Sequence, residues 1–116
     1  MNEIVLVKEA ITINALNEII SGTGGELIKI VVDVQLNLLA IGGEMHSDEE
    51  QFLLDQGSNQ DDLWGINIYP KMSRNEWIEF DSMINIRPRQ NNRSRNVEDL
   101  ELQKKIIQIV NDLILQ

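Results

Sequence analysis

Apolar and polar residues alternate along several short stretches of the chain, which is the pattern of half-buried strands. The most regular alternation covers residues 77–87. Its apolar set is Ile78, Phe80, Ile84 and Ile86, and its polar set is Glu79, Asp81, Asn85 and Arg87. Because side chains two residues apart share one face of a strand, this stretch predicts a strand with one apolar face and one polar face. Further strands are predicted over residues 4–7, 27–34, 38–41 and 63–69.

Three other stretches have helical spacing, and each is preceded by a residue suited to cap a helix. The predicted caps are Thr12, Ser47 and Asn96. Glu50 completes a capping box with Ser47, and Asp99 is the third residue after Asn96. The first helix, over 13–20, is predicted to end at Gly22, Gly24 and Gly25, and the second at Gly57. The third carries the apolar stripe Leu102, Ile106, Ile109, Val110 and Leu113.

These elements follow one another in the order β-α-β-β-α-β-β-α. The connections between strands are short, and Asn37 suits the left-handed backbone of a tight turn between residues 27–34 and 38–41. The sequence therefore predicts an α+β domain over residues 1–116, with a mainly antiparallel sheet of about five strands and helices on one face.

Composition removes several classes of function. The chain has no cysteine, which excludes disulfides, cysteine-based zinc sites and thiol nucleophiles. No apolar run is long enough to cross a bilayer, and Met1-Asn2-Glu3 does not resemble the start of a secretory signal, so we expect a cytoplasmic protein that does not enter the membrane. The segment 106–115 is apolar on more than one side, which predicts a homodimer.

The net charge is -9, which argues against nonspecific nucleic-acid binding. The charge is unevenly distributed, because residues 47–62 hold acids without a base and residues 87–95 hold arginines without an acid. These arginines are Arg87, Arg89, Arg93 and Arg95. Guanidinium groups bind carboxylate or phosphate through paired hydrogen bonds, so the loop could hold a small anion. It could equally pair with acids of the chain itself.

The polar face of the predicted sheet is the candidate site. Carboxylates beside an imidazole suit acid/base chemistry or a divalent metal. The catalytic candidates are Glu44, His46, Glu79 and Asp81, and the metal-ligand candidates are Glu79, Asp81 and His46, with Asp33 a further possible member of this face. The ligand-binding candidates are Asn67, Tyr69, Asn85, Arg87, Arg89, Arg93 and Arg95. A solvated, ion-paired sheet surface explains the same pattern, and His46 can equally be a residue that enters a helix.

Four segments carry a resemblance to a known family. They are GEMHSD (43–48), GSNQDDLWGINIYP (57–70), IEFDSMINIRP (78–88) and NRSR (92–95). Together they resemble an uncharacterised family of small bacterial proteins, common in cyanobacteria and known as a domain of unknown function. The resemblance covers nearly the whole chain and implies a bacterial, cytoplasmic, single-domain protein, but it brings no reaction, cofactor or catalytic residue. Asn91 stands where the resemblance leads us to expect glycine.

Two functions remain open from the sequence. The first is a binding module that recognises a protein partner, such as a basic toxin, or a small anionic ligand through its acidic surface and arginine loop. The alternative is a small metal-dependent hydrolase or nuclease. In that alternative Glu44, His46, Glu79 and Asp81 hold the metal or act as acid and base, and a phosphate is clamped by Arg87, Arg93 and Arg95.

Overall fold

An antiparallel sheet of five strands organises the computed structural model of the protein, which describes residues 3–20 and 27–116. The strands in this part of the chain are β1 (Val5–Val7), β2 (Ile11–Thr12), β3 (Ile28–Asp33), β4 (Leu38–Ile41), β5 (Leu63–Ile68), β6 (Ile78–Glu79) and β7 (Ile114–Leu115). The helices are α1 (Ile13–Ile19), α2 (His46–Asp55) and α3 (Leu100–Leu113). The sheet has the order β1-β4-β3-β5-β6, and β2 pairs separately with β7 in parallel. The predicted α+β class is confirmed.

Both faces of the sheet are covered. Antiparallel pairing places Ile30, Val32 and Ile66 on one face, where they pack against Leu16 of α1 and Ile106 of α3. The opposite face carries Val31, Ala40 and Leu63, which pack against Leu53 of α2. This differs from the predicted placement of all helices on one face. The physical reason is that all six residues of β5 are buried, so its apparent alternation does not mark a solvent-facing side.

The hairpin between β3 and β4 is confirmed. Asn37 has a φ of 56°, the left-handed conformation that its turn requires. The Asp33 carboxylate accepts hydrogen bonds from the backbone N–H groups of Gln35 and Leu36, each at 2.9 Å, and from the Ser58 hydroxyl at 2.6 Å. Asp33 is therefore a buried turn residue and does not belong to the candidate site.

The helix starts follow the prediction in one case of three. Thr12 caps α1, since its hydroxyl accepts from the Ala15 N–H at 3.1 Å. The capping box of Ser47 and Glu50 is wrong, because α2 begins two residues earlier than predicted and Met45 occupies the cap position without a side-chain hydrogen bond. Asn96 as cap of α3 is also wrong, because Asp99 accepts from the first-turn N–H groups instead.

The helix ends can be compared in part. Gly57, with a φ of +106°, follows α2 as predicted. Gly22, Gly24 and Gly25, predicted to end α1, lie outside the described residues. The predicted stripe of α3 is buried at Ile106, Ile109, Val110 and Leu113. Much of the apolar breadth of 106–115 is thus used inside the fold, and none of the helices in the described ranges has the length and apolarity to cross a membrane.

The predicted strand over 77–87 is wrong beyond its start. Only Ile78 and Glu79 pair with β5, and residues 83–85 form a 3-10 turn. Asn85, expected on an open face, is fully buried, whereas Ile86 is 39% exposed. The cause is the Asn85 side chain, which takes the place of a paired strand. Its oxygen accepts from the Gly65 N–H at 2.8 Å, and its amide donates to the Gly65 carbonyl at 2.9 Å.

A second asparagine fastens the segment that follows. The Asn92 amide donates to the backbone carbonyls of Asn85 and Asn96, both at 2.7 Å, and its oxygen accepts from the Glu98 N–H at 2.9 Å. Asn91 has a φ of 60°, the left-handed region that favours glycine, in line with the glycine expected there. We call residues 81–98 the clamp segment, because its buried amides hold it against β5.

Replacing Asn85 tests this attachment. We expect Asn85→Ala to lower the free energy of unfolding by about 2–4 kcal/mol, because the buried N–H and C=O of Gly65 lose their partners. Urea unfolding at pH 7 measures the change. Asn14→Ala, at an exposed position of α1, is the control and should stay within about 0.5 kcal/mol of the parent. Equal effects of the two substitutions would contradict the attachment.

Candidate functional site

A cleft of about 500 Å³ lies where the start of α2, the β3-β5-β6 side of the sheet and the clamp segment meet. Its size is ordinary for a small-molecule site. It is lined by Leu27, Lys29, Met45, His46, Ser47, Asn67, Tyr69, Glu79, Asp81, Ser82, Met83, Ile84 and Arg95.

Three polar residues form a row across the floor of the cleft. Lys29 of β3 pairs with Asn67 of β5, which pairs with Glu79 of β6, so their side chains share one face of the sheet. The Asn67 amide donates to Glu79 Oε1 at 2.9 Å and to the Asp81 carbonyl at 3.1 Å. The Tyr69 hydroxyl donates to the same Glu79 oxygen at 3.0 Å, and this hydrogen bond raises the pKa of the Tyr69 phenol.

The first residue of α2, His46, forms one wall of the cleft. Its Nε2 lies 2.7 Å from the Ile66 carbonyl oxygen, which can only accept, so the neutral ring carries its proton on Nε2 and its lone pair on Nδ1. Burial lowers the pKa of His46 below 6.5, and the nearby Lys29 ammonium acts in the same direction. His46 is therefore uncharged at neutral pH and can accept a hydrogen bond or a proton at Nδ1.

Gly65 allows His46 and the clamp segment to approach β5. A Cβ at this position would lie 2.6 Å from Ser82 Oγ and 3.1 Å from His46 Cδ2. The distance to Ser82 Oγ is too short for a Cβ atom and the distance to His46 Cδ2 is tight, so the approach of the clamp segment depends on glycine here.

The charges around the cleft balance. Asp81 accepts a hydrogen bond from Arg95 Nε at 2.5 Å, and both side chains are about half exposed. An exposed pair of this kind contributes little to stability. With Lys29 and Glu79 on the floor, the cleft carries two positive and two negative side chains.

A buried acid positions the turn that leads into His46. Glu49 is fully buried, and its Oε2 accepts from the Gly43 N–H at 3.0 Å. Burial raises the pKa of Glu49 to about 9, and the proximity of the Asp48 carboxylate acts in the same direction. The carboxyl is therefore protonated at neutral pH.

The structure brings together about half of the residues predicted for the site. His46, Asn67, Tyr69, Glu79, Asp81 and Arg95 line the cleft. The catalytic candidate Glu44 does not, because it lines a separate acidic groove with Asp48 and Asp55. Lys29, Ser47 and Ser82, together with the rim residues Met45 and Met83, were not predicted.

The remaining ligand-binding candidates lie outside the cleft and contact other parts of the protein. Asn85 and Arg87 are buried, and the Arg87 guanidinium lies 4.1 Å from the Trp64 ring centre and donates to the Leu63 carbonyl at 2.6 Å. Arg89 pairs with Asp61, which is the self-neutralisation that the sequence left open. Arg93 donates its backbone N–H to Glu98 and does not line the cleft. The predicted phosphate clamp of Arg87, Arg93 and Arg95 is therefore not assembled.

The positions of the acidic and histidine side chains also test whether the chain could hold a metal ion. Among residues 3–20 and 27–116, no three His, Cys, Asp or Glu side chains are grouped so that they could hold a metal ion. His46, Glu79 and Asp81 share the cleft without forming such a group.

Comparison with known proteins agrees with the resemblance seen in the sequence motifs. Residues 5–113 match a family model described as a protein of unknown function (DUF5674). The chain belongs to this family. No curated protein and no solved structure matches it. The range that matches DUF5674 includes the whole cleft, since every lining residue lies between residues 5 and 113.

His46 gives a test of the electrostatics of the cleft. We expect its imidazole to titrate below pH 6.5 and to be protonated on Nε2 at pH 7. Between the two pKa values the unfolded chain binds the proton more readily than the folded one, so the stability contributed by neutral His46 is present above pH 6.5 and is lost as the pH falls. Long-range ¹H–¹⁵N NMR spectra report both properties, and a midpoint above 6.5 would contradict the burial argument.

The raised pKa of Glu49 predicts that stability depends on pH with the opposite sign to that of His46. The folded carboxyl holds its proton up to a pKa of about 9, whereas the unfolded carboxyl releases it near 4.5. Stability should therefore fall as the pH rises through this window, with a limiting slope of about 1.4 kcal/mol per pH unit. Urea unfolding between pH 6.5 and 9 measures the slope.

Glu49→Gln should flatten that slope, because the amide does not titrate. Asp55→Asn removes an acid from an exposed position of the same helix and serves as the control, which should keep the parent slope. The expectation is wrong if Glu49→Gln and the parent lose stability in parallel.

Proposed function

We propose that the protein is a binding module and that the cleft is its ligand site. The observation that carries this proposal is the Asn67 side chain. Asn67 is 6% exposed, and its carbonyl oxygen is buried without a hydrogen-bond partner among the described residues. An unsatisfied buried acceptor costs free energy, so its retention on the floor of a cleft supports a role beyond packing.

The rim of the cleft supports the same proposal. Met45 is 57% exposed and Met83 is 65% exposed, and they stand on the two walls above the polar floor. Methionine is flexible and polarisable, and it is common at surfaces that adapt to a bound molecule. An apolar rim around a few placed polar groups is the usual composition of a small-molecule pocket.

The walls of the cleft are pre-organised. Asn85 and Asn92 fix the clamp segment through buried hydrogen bonds, and the Ile66 carbonyl fixes the His46 ring. A site held in place before its ligand arrives avoids the entropy cost of ordering loops during binding.

A small ligand is favoured over a protein partner. In the arginine loop, expected to contact an anion or a partner, Arg87 is buried against β5 and Arg89 pairs with Asp61 at the surface, so two of its four arginines already contact the protein itself. A protein partner, a homodimer and a cytoplasmic location stay predictions of the sequence. For the homodimer, Leu100 and Ile107 are the exposed apolar residues of α3, and sedimentation would test it.

An NMR fragment screen tests the binding role. We expect hits that shift backbone amide signals of residues 46–47, 67 and 79–83 and that weaken at least about tenfold in Asn67→Leu, which keeps the side-chain size and removes its polar atoms. Asn14→Leu, at an exposed position of α1, is the matched control and should leave the hits unchanged. A screen whose hits cluster outside the cleft, for example in the groove of Glu44, Asp48 and Asp55, would overturn the proposal.

A further inference from the structure

The charges of the cleft narrow the chemistry of its ligand. We infer that the ligand is a small zwitterion of the α-amino-acid class with an apolar side chain. This inference rests on the binding role proposed above. A ligand of this cleft must satisfy both signs of charge found there.

The β6 side of the cleft suits an ammonium group. Glu79 Oε1 already accepts from Asn67 and Tyr69, whereas Glu79 Oε2 receives no hydrogen bond from residues 3–20 or 27–116. The unpartnered carbonyl oxygen of Asn67 belongs to the neighbouring residue of the same row. An ammonium carries three donors and a positive charge, which match a carboxylate oxygen beside an amide oxygen.

The opposite side suits a carboxylate. Lys29 forms no ion pair with any residue in the described ranges. The start of α2 faces the same space through Met45, His46 and Ser47, and it has no side-chain cap. The Asp48 N–H already donates to the Met45 carbonyl at 3.1 Å, so the N–H groups of His46 and Ser47 are the ones that a ligand carboxylate would meet at this end of a ten-residue helix.

The positions of Lys29 and Glu79 suit a ligand whose ammonium and carboxylate lie close to each other. Lys29 and Glu79 stand on the two strands that flank β5, and neighbouring strands are about 4.8 Å apart. The Glu79 carboxylate lies 2.9 Å from the Asn67 amide nitrogen, on the side of its strand that faces β5. A ligand whose ammonium and carboxylate each form a hydrogen bond of about 2.9 Å bridges protein groups that stand farther apart than its own two charges, which suits groups on the two strands that flank β5.

Ligands with one sign of charge fit less well. A simple anion would meet Glu79 and Asp81, and a simple cation would meet Lys29 and Arg95. A zwitterion pairs with Glu79 and Lys29 at once, while Asp81 and Arg95 already pair with each other. The exposed thioethers of Met45 and Met83 then offer the contact surface for an apolar side chain.

Three related molecules test the inference. L-Leucine carries both charges, N-acetyl-L-leucine keeps only the carboxylate, and L-leucinamide keeps only the ammonium. We expect leucine to shift the amide signals of the cleft in ¹H–¹⁵N NMR titrations and to bind at least about tenfold more tightly than either derivative.

Matched variants assign each charge to its end of the cleft. Glu79→Gln should weaken leucine binding about tenfold and leave N-acetyl-leucine unaffected, whereas Lys29→Gln should weaken leucine and leave leucinamide unaffected. Arg89→Gln, which alters a pair outside the cleft, should change nothing. The ¹H–¹⁵N spectrum of each variant reports whether it is folded.

The outcomes separate this inference from the binding role. Binding of N-acetyl-leucine or leucinamide in the cleft as tightly as leucine overturns the zwitterion and leaves the binding role standing. Absence of binding by all three molecules also overturns the zwitterion, while the binding role is then decided by the fragment screen. Leucine binding that survives both Glu79→Gln and Lys29→Gln overturns the assignment of the two ends.

Discussion

The structure depends on one side chain that replaces a strand. The β6 strand pairs with β5 over only two residues, so the middle of β5 would be left with an open hydrogen-bonding edge inside the protein. The Asn85 amide closes that edge by bonding both the N–H and the C=O of Gly65. Because an amide side chain offers a donor and an acceptor in the same geometry as a peptide group, it satisfies the strand without continuing the sheet.

The cleft forms because the Asn85 side chain stands where a strand would otherwise pair with β5. A regular strand over 77–87 would have continued the sheet beside β5, with no departure of the chain to form a wall. The chain instead lifts away after Glu79 and returns at Asn85, which leaves Asp81, Ser82 and Met83 as a wall. Gly65 lets that wall approach His46 closely, so the same short stretch of β5 anchors both sides of the site.

The sequence predicts the parts of this arrangement that depend on local spacing. Two of these parts depend on residues that are close in the chain, namely the turn at Asn37 and the cap at Thr12. A third depends on the two-residue period of strands, which places Asn67, Tyr69 and Glu79 on one face. The alternation gives the wrong placement for Asn85, which it predicts on an open face. A polar residue between apolar ones can either face solvent or bond buried backbone groups, and the pattern is the same in both cases. Only the tertiary partner, Gly65, decides between them, and it lies twenty positions away.

The same limit explains the arginines and the helix caps. A basic loop suits anion binding by composition, yet the Arg87 guanidinium donates to the backbone carbonyls of Gln60 and Leu63 and lies over the ring of Trp64. Asn96 has the chemistry of a cap, but Val97 is buried in the core, and α3 starts only after that anchor, at Leu100 with Asp99 as its cap. Lys29 escaped prediction because it interrupts an otherwise apolar strand, where its charge had no visible partner.

The balance of charge in the cleft matters because the rest of the protein is strongly acidic, with a net charge of -9. At physiological ionic strength that field is screened within about 8 Å of the surface, but it still disfavours the approach of free anions. A molecule with no net charge is not opposed by this field, and inside the cleft it meets fixed charges of both signs. Under the zwitterion proposal, the acidic surface and the neutral cleft act together, since the first disfavours simple anions and the second offers partners for both charges of a dipole.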